Sequence, residues 1–206
     1  PAGQPAFTLE VHAPDDVRKL LLAHLELQRY RDLPDLQPNE LSRLLVAADA
    51  NARDLLGTLG YFSPDITIES KERVVEITVQ PGPQTTVTGT QFHFDHAPAD
   101  FARTQARVER NWPLTPGDAF TQQAWDNAKT QGLRRLQERR YPTAQLTASR
   151  ADVNADTHSA ALSVTYDPGP AYRFGALSVQ GSERYDPDGA RRIAQLPTGA
   201  VYSESE

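Results

Sequence analysis

The sequence predicts an α+β fold built from tandem strand–helix–helix–strand–strand units, two complete and a third truncated. Three observations predict it. The tripeptide Pro-Gly-Pro occurs at Pro81–Pro83 and again at Pro168–Pro170, an offset of 87 residues, each copy following one alternating strand and preceding another. A second match lies at offset 80, where Ala48, Ala52, Leu56 and Tyr61 correspond to Ala128, Gly132, Leu136 and Tyr141. Between these marks the apolar spacing switches from a period of two to a period near 3.6, the signature of sheets interleaved with amphipathic helices.

In chain order, Phe7, Leu9 and Val11 form a first short strand. Pro14 followed by Asp15 and Asp16 opens a helix, since proline is tolerated in the first turn and carboxylates favour its positive end. Val17, Leu20, Leu21 and His24 continue its face. A longer helix carries Leu41, Leu44, Leu45, Ala48, Ala52, Leu55, Leu56 and Leu59, with Gly60 where a left-handed cap belongs. A hairpin follows, turning at Ser70–Arg73, and its second strand alternates Val75, Ile77 and Val79 with Glu76, Thr78 and Gln80. The second copy repeats this order: a strand over Thr85–Phe94, a helix from near Pro98 through Phe101, Gln105, Val108 and Trp112, and a helix with Trp125, Ala128, Gly132, Leu133 and Leu136. Its hairpin turns over Ala151–His158 and closes with Leu162, Val164 and Tyr166. The small residues Ala52 and Gly132 mark close approach to another element. Val87 and Phe174 are out of parity with Phe92 and Val179, and a glycine lies between (Gly89, Gly175), which predicts a β-bulge in each strand. The expected domains are therefore residues 6–82, 83–168 and 169–206, the last only in part. About 37 residues cannot close a core alone, so Leu177, Val179 and Ile193 are expected to pack on the second unit or on another molecule, or to stay mobile.

Composition narrows the function. The 206 residues carry a net charge of −6, which argues against a sequence-independent nucleic-acid binder and a polybasic membrane anchor. With no cysteine, disulfides, thiolate metal sites and thiol nucleophiles are excluded. Hydrophobic residues are 38% of the chain but patterned, so it is expected to fold. No apolar run approaches the roughly 20 residues of a spanning helix. With no methionine at all, the chain is expected to be a processed or excised piece of something larger.

Catalytic signatures are missing: there is no nucleophile elbow, phosphate loop or zinc-protease helix, and no enzymatic role is expected. Adjacent Asp15 and Asp16 are explained by helix capping. His93, Asp95 and His96 form a short cluster, but on a strand His96 points away from the other two, so no metal site and no cofactor is expected. His12, His24 and His158 are scattered, without an evident acid–base partner. Gly57-Thr58-Leu59-Gly60 satisfies the GxxG pattern of RNA-binding KH modules, but the first unit carries 8 basic and 13 acidic residues, and a helix cap is the simpler reading.

Three stretches carry a family resemblance: LGYFSPDITIE at Leu59–Glu69, VQPGPQTTVTGTQF at Val79–Phe92 and YDPGPAYRFGALSVQGSE at Tyr166–Glu183. In order and spacing they resemble POTRA domains of the outer-membrane Omp85 superfamily, on its translocation-and-assembly-module branch. The sharpest part is Tyr172, Arg173, Phe174, Gly175, Val179 and Gly181. The resemblance implies periplasmic domains preceding a membrane β-barrel, absent from this chain, that helps insert outer-membrane proteins such as autotransporters. It also implies a TamB-like partner anchored in the inner membrane and unfolded outer-membrane clients; on charge, no nucleic acid is expected as a partner. A POTRA arm of a two-partner-secretion or general barrel-assembly protein is the alternative. The second copy departs from the first in having Arg140 where Gly60 stands.

Physically, a small sheet covered on one face leaves unpaired backbone groups on its outer strands, open to an added strand. The expected edge in the first unit is Ile66, Thr67, Ile68 and Glu69, and its counterpart runs from Thr147 to Arg150. A purely structural edge protected by charge is the competing reading. Arg134, Arg135, Arg139 and Arg140 crowd one helix end, as a solvated C-terminal turn or a docking patch for an acidic partner or lipid headgroups. As a docking patch, their exchange for Ser is expected to weaken binding without lowering the melting temperature.

Overall fold

A computed structural model of the chain describes residues 6–33 and 36–171. The expected third copy beyond residue 171, with its bulge at Gly175, lies outside the described residues. The chain divides into two compact units between Thr85 and Thr86. Each has the order strand, helix, helix, strand, strand.

In the first unit, β1 (Thr8–His12) leads to α1 (Asp15–His24), a 3-10 turn (Glu26–Tyr30), α2 (Pro38–Gly57), and the hairpin of β2 (Asp65–Lys71) and β3 (Val74–Gln80). The sheet order is β1-β3-β2, with β3 central, parallel to β1 and antiparallel to β2. Alternation decides what is covered: Val75, Ile77 and Val79 of β3 are buried together with Val11 of β1, while Glu76, Thr78 and Gln80 face solvent. Onto that apolar face pack Val17 and Leu21 of α1 and Ala48, Ala52 and Leu56 of α2. Each fully buried Val, Leu or Ile contributes about 1.5–3 kcal/mol of transfer free energy.

The end of α2 explains the glycine pair. Gly60 has φ 90°, Tyr61 N–H donates to Leu56 carbonyl at 3.0 Å and Gly60 N–H to Gly57 carbonyl at 3.0 Å, the two bonds of a Schellman cap. A Cβ on Gly57 would stand 3.3 Å from the Phe62 ring. Both glycines thus have structural work. The second unit, with Arg140 at the matching position, keeps only the longer bond, Tyr141 N–H to Leu136 carbonyl at 3.1 Å, without a left-handed residue.

The second unit comprises β4 (Thr86–Phe94), α3 (Ala102–Arg110), α4 (Gln122–Gln137), β5 (Gln145–Asn154) and β6 (Ser159–Asp167), with sheet order β4-β6-β5. The register of β4 against β6 shifts between Val87 and Gly89, at the expected bulge, and Thr88 is the extra residue. A second shift, between Leu146 and Ala148, makes Thr147 the extra residue of β5. The core here is aromatic. Trp112 meets Phe92 edge-on at 5.1 Å between centroids, Phe101 lies 5.0 Å from Phe94 and 5.4 Å from Tyr141, and Trp125 is fully buried. Thr121 caps α4 by accepting from Ala124 N–H at 3.1 Å. Helix α4 meets β6 where a residue larger than glycine does not fit, since a Cβ on Gly132 would collide with the Tyr166 hydroxyl. That hydroxyl is buried and donates to the Lys129 carbonyl at 2.9 Å.

Candidate polypeptide-binding edge

Among the described residues four strands lie at sheet edges, and they are not equivalent. The start of β4 is covered by the chain at 117–119: Thr86 bridges Ala119, Val87 N–H donates to Asp118 carbonyl and Gly117 N–H to Val87 carbonyl, both at 2.8 Å. β5 carries the bulge at Thr147, whose hydroxyl donates to Thr165 carbonyl at 3.3 Å, and Arg150 is drawn to Asp152 at 2.6 Å. A bulge and local charge pairs are ways natural sheets blunt an edge. β1 holds only five residues. β2 pairs with β3 over all seven of its residues in unbroken register, and no strand lies on its other side among the described residues. The expected edge residues Ile66, Thr67, Ile68 and Glu69 thus lie on the most regular of the four edges.

Beside β2 runs an open groove of about 470 Å³, lined by Leu45, Val46, Asp49, Ala50 and Arg53 of α2 and Ile68 of β2. Val46 is 76% exposed, a large apolar side chain on the solvent side of its helix. Arg53 braces the groove end, donating to Asp49 at 2.6 Å and to the Pro64 carbonyl at 3.1 Å. Ile66 and Ile68 stand on the helix side of the sheet, level with Val79 and Ile77. An added strand would therefore meet free backbone along β2 and an apolar trough under its alternate side chains. In the second unit the offset-80 counterparts of Leu45 and Asp49 are Trp125 and Lys129, both fully buried. Lys129 is 1% exposed, with Nζ 3.5 Å from Asp126 and 4.7 Å from the centre of the Trp125 ring. Burial pulls its pKa below the usual lysine value, only partly offset by Asp126, whose own carboxyl burial pushes up.

The solvent face of the first sheet is acidic in a defined row. Glu10, Glu76 and Glu69 are register partners across β1, β3 and β2. The next row is His12, Thr78 and Thr67. His12 thus has neighbours that its position in sequence hides: its Nε2 lies 3.8 Å from Glu10, and one ligand atom from each of Glu10, His12 and Glu76 falls within 4.8 Å of the others. All three side chains are exposed. His93 is exposed on β4, whereas His96 lies beyond its end, at φ 57°, with Nδ1 3.0 Å from Asp167.

The four arginines are not alike. Arg134 and Arg135 occupy the last turn of α4, and Arg139 and Arg140 follow it. Arg135 is half-buried, and Arg140 is drawn to Asp100 at 3.4 Å and lies over the Tyr141 ring. Exchanging all four for Ser therefore removes packing at Arg135 and Arg140 as well as charge. Arg134 and Arg139 are exposed, with no ion pair among the described residues.

The groove residues of α2 are the part that sequence reading missed. Leu45 reads as core, and the available signal was Val46, an apolar residue off the apolar face of α2.

The first unit is similar to POTRA domains. The family model that matches is the one described as POTRA domain TamA domain 1, over residues 12–81, a third of the chain. Among solved structures, the chain resembles BamA POTRA3-5 of Haemophilus influenzae at 17% identity and TM-score 0.44, covering 97% of this chain and 87% of that one. It also resembles POTRA1-3 of the periplasmic domain of Omp85 from Anabaena, at 14% identity and TM-score 0.41, covering 77% of this chain and 59% of that one. With CdiB from Escherichia coli the identity is 14% and the TM-score 0.33, and the chain spans 26% of that protein while 78% of it is covered.

Proposed function

We propose that this chain is a periplasmic arm of an Omp85-type outer-membrane protein of the TamA kind, and that it takes up extended segments of partner or client polypeptides by strand addition at β2. The observation that carries this reading is the regular, unpaired edge of β2 beside the α2 groove, in the unit that matches the POTRA model. Main-chain hydrogen bonds along β2 supply sequence-tolerant affinity, and the groove at Val46 and Ile68 supplies preference for apolar side chains at alternate positions. No group in this mechanism performs chemistry on the bound segment. A TamB-like inner-membrane partner and unfolded outer-membrane clients are the polypeptides that such an arm would meet. Arg134 and Arg139 form the remaining candidate for docking an acidic partner, and their exchange for Ser tests it: weaker binding at unchanged melting temperature is expected, and unchanged binding removes the patch.

The test of the edge uses the full-length protein in its membrane. A photo-crosslinking amino acid placed at Thr67 on β2 is expected to capture polypeptide, and one placed at Thr147 on the bulged β5 to capture far less. Absence of crosslinks at Thr67 while the protein is active would refute strand addition there.

A further inference from the structure

Resting on strand addition at β2, we infer that this edge selects a strand with a basic residue at each end of a five-residue core, apolar residues at the second and fourth positions, and a small polar residue in the middle. The pattern follows from the two faces of β2. On the solvent face the side chains run Asp65, Thr67, Glu69, Lys71; on the helix face stand Ile66 and Ile68, and Ile68 borders the groove lined also by Leu45, Val46, Ala50 and the Asp49–Arg53 pair. A strand laid beside β2 sets its own side chains level with these, alternating between the same two faces. Positive side chains then stand opposite Asp65 and Glu69, four residues apart, and apolar ones opposite Ile66 and Ile68.

The acidic row strengthens the first requirement. Glu69 is the outermost of three carboxylates in register, Glu10, Glu76 and Glu69, and like charges set directly across strands destabilise the sheet that holds them. A cation added at the end of this row relieves a repulsion that already exists. Lys71 sets the register, because sliding the ligand by two residues brings a positive charge against it. The pattern reads the same in both directions, so charge fixes register and leaves strand polarity to the backbone. The second unit lacks these features: on its solvent face Arg150 is level with Ser163 and Gln91, and β5 bulges at Thr147.

Two synthetic peptides test this on the whole chain, one with the core Lys-Val-Thr-Val-Lys and one with Glu-Val-Thr-Val-Glu between identical flanks, titrated by fluorescence anisotropy at low and high salt. Two cross-strand charge pairs, each worth a few-fold, predict about tenfold tighter binding of the basic peptide at low salt, narrowing as salt rises. Glu69→Lys, an exposed substitution that removes a like-charge contact and so leaves the fold intact, is expected to erase or invert that preference. Glu69→Gln is expected to fall between. Equal binding of the two peptides, a preference that survives Glu69→Lys, or no binding of either at millimolar peptide overturns the inference. Amide exchange in the complex separates this from the reading beneath it. Slowed exchange in β2 with no charge preference leaves strand addition standing and removes the selectivity, whereas a charge preference without slowed exchange in β2 removes both.

Discussion

Replacing Gly132 with Ala tests how α4 is seated on its sheet. The added Cβ would overlap the Tyr166 hydroxyl, stand 3.0 Å from Tyr166 Cζ and 3.2 Å from Trp112 Cζ3. Tyr166 cannot swing aside freely, because its ring is fully buried and its hydroxyl is bonded to the Lys129 carbonyl. Breaking that buried bond costs about 1–3 kcal/mol and the crowding about 1–3 kcal/mol more, against a gain of about 1 kcal/mol from alanine's helix propensity. The expected net loss is about 3 kcal/mol. Both tryptophans of the chain, Trp112 and Trp125, lie in the second unit, so tryptophan fluorescence in a urea titration follows that unit alone. Tyr166→Phe removes the atom that clashes most, at a cost of about 1 kcal/mol for the lost bond. In that background Gly132→Ala should cost at least about 1 kcal/mol less than in the parent. A loss below about 0.5 kcal/mol in the parent, or equal losses in both backgrounds, would refute the account of the contact.

Lys129→Met combined with Asp126→Leu should leave the second unit equally or more stable in the same urea titration, since a buried ion pair replaced whole by apolar packing is often no loss. The parent should also gain stability as pH climbs toward 10.5: its folded state releases the Lys129 proton at lower pH than the unfolded state does, and Lys129→Met should lack this rise. Tyr166 acts oppositely, because burial pushes its hydroxyl pKa well above 10, so its contribution is intact below pH 10 and is lost above it as the unfolded chain ionises. Tyr166→Phe should flatten that alkaline loss in melts recorded across the range. Gly60→Ala, forced to φ 90°, should destabilise the first unit by about 1–2 kcal/mol, read as faster amide exchange of β3. Glu76→Lys should stabilise the same unit by a few tenths of a kcal/mol or more, with the gain shrinking in salt.

Much of this architecture is written locally. The switch from alternating Val75, Ile77 and Val79 to the helical spacing of α2 needs only neighbours in sequence, and the parity break around Gly89 located a bulge before any partner strand was known. The edge position of β2 was also legible, because the first strand of a hairpin that ends in a central strand has one free side. What stayed hidden depends on register between distant segments. Glu10, Glu76 and Glu69 form a row only once β1 lies parallel to β3, which no local pattern states. The covering of β4 by 117–119 is hidden for the same reason. Lys129 was hidden by its charge, since it occupies the apolar face of α4 beside Trp125 and Ala128 while reading as a solvent residue. The parity break near Thr147 was masked by polar residues at 147 and 149.

In both units the first strand runs parallel to the last, with Thr8 level with Val74 and His12 with Thr78 in one, and Thr86 level with Ser159 and Phe94 with Tyr166 in the other. The beginning of the first strand and the end of the last therefore lie at opposite ends of the shared ladder. Tension applied to a unit through its two chain ends pulls these neighbours past each other lengthwise, and every hydrogen bond of the ladder bears the load at once instead of opening one by one. Each unit is thus built as a mechanical link. The second, with the longer ladder, is the one that should withstand the greater pull.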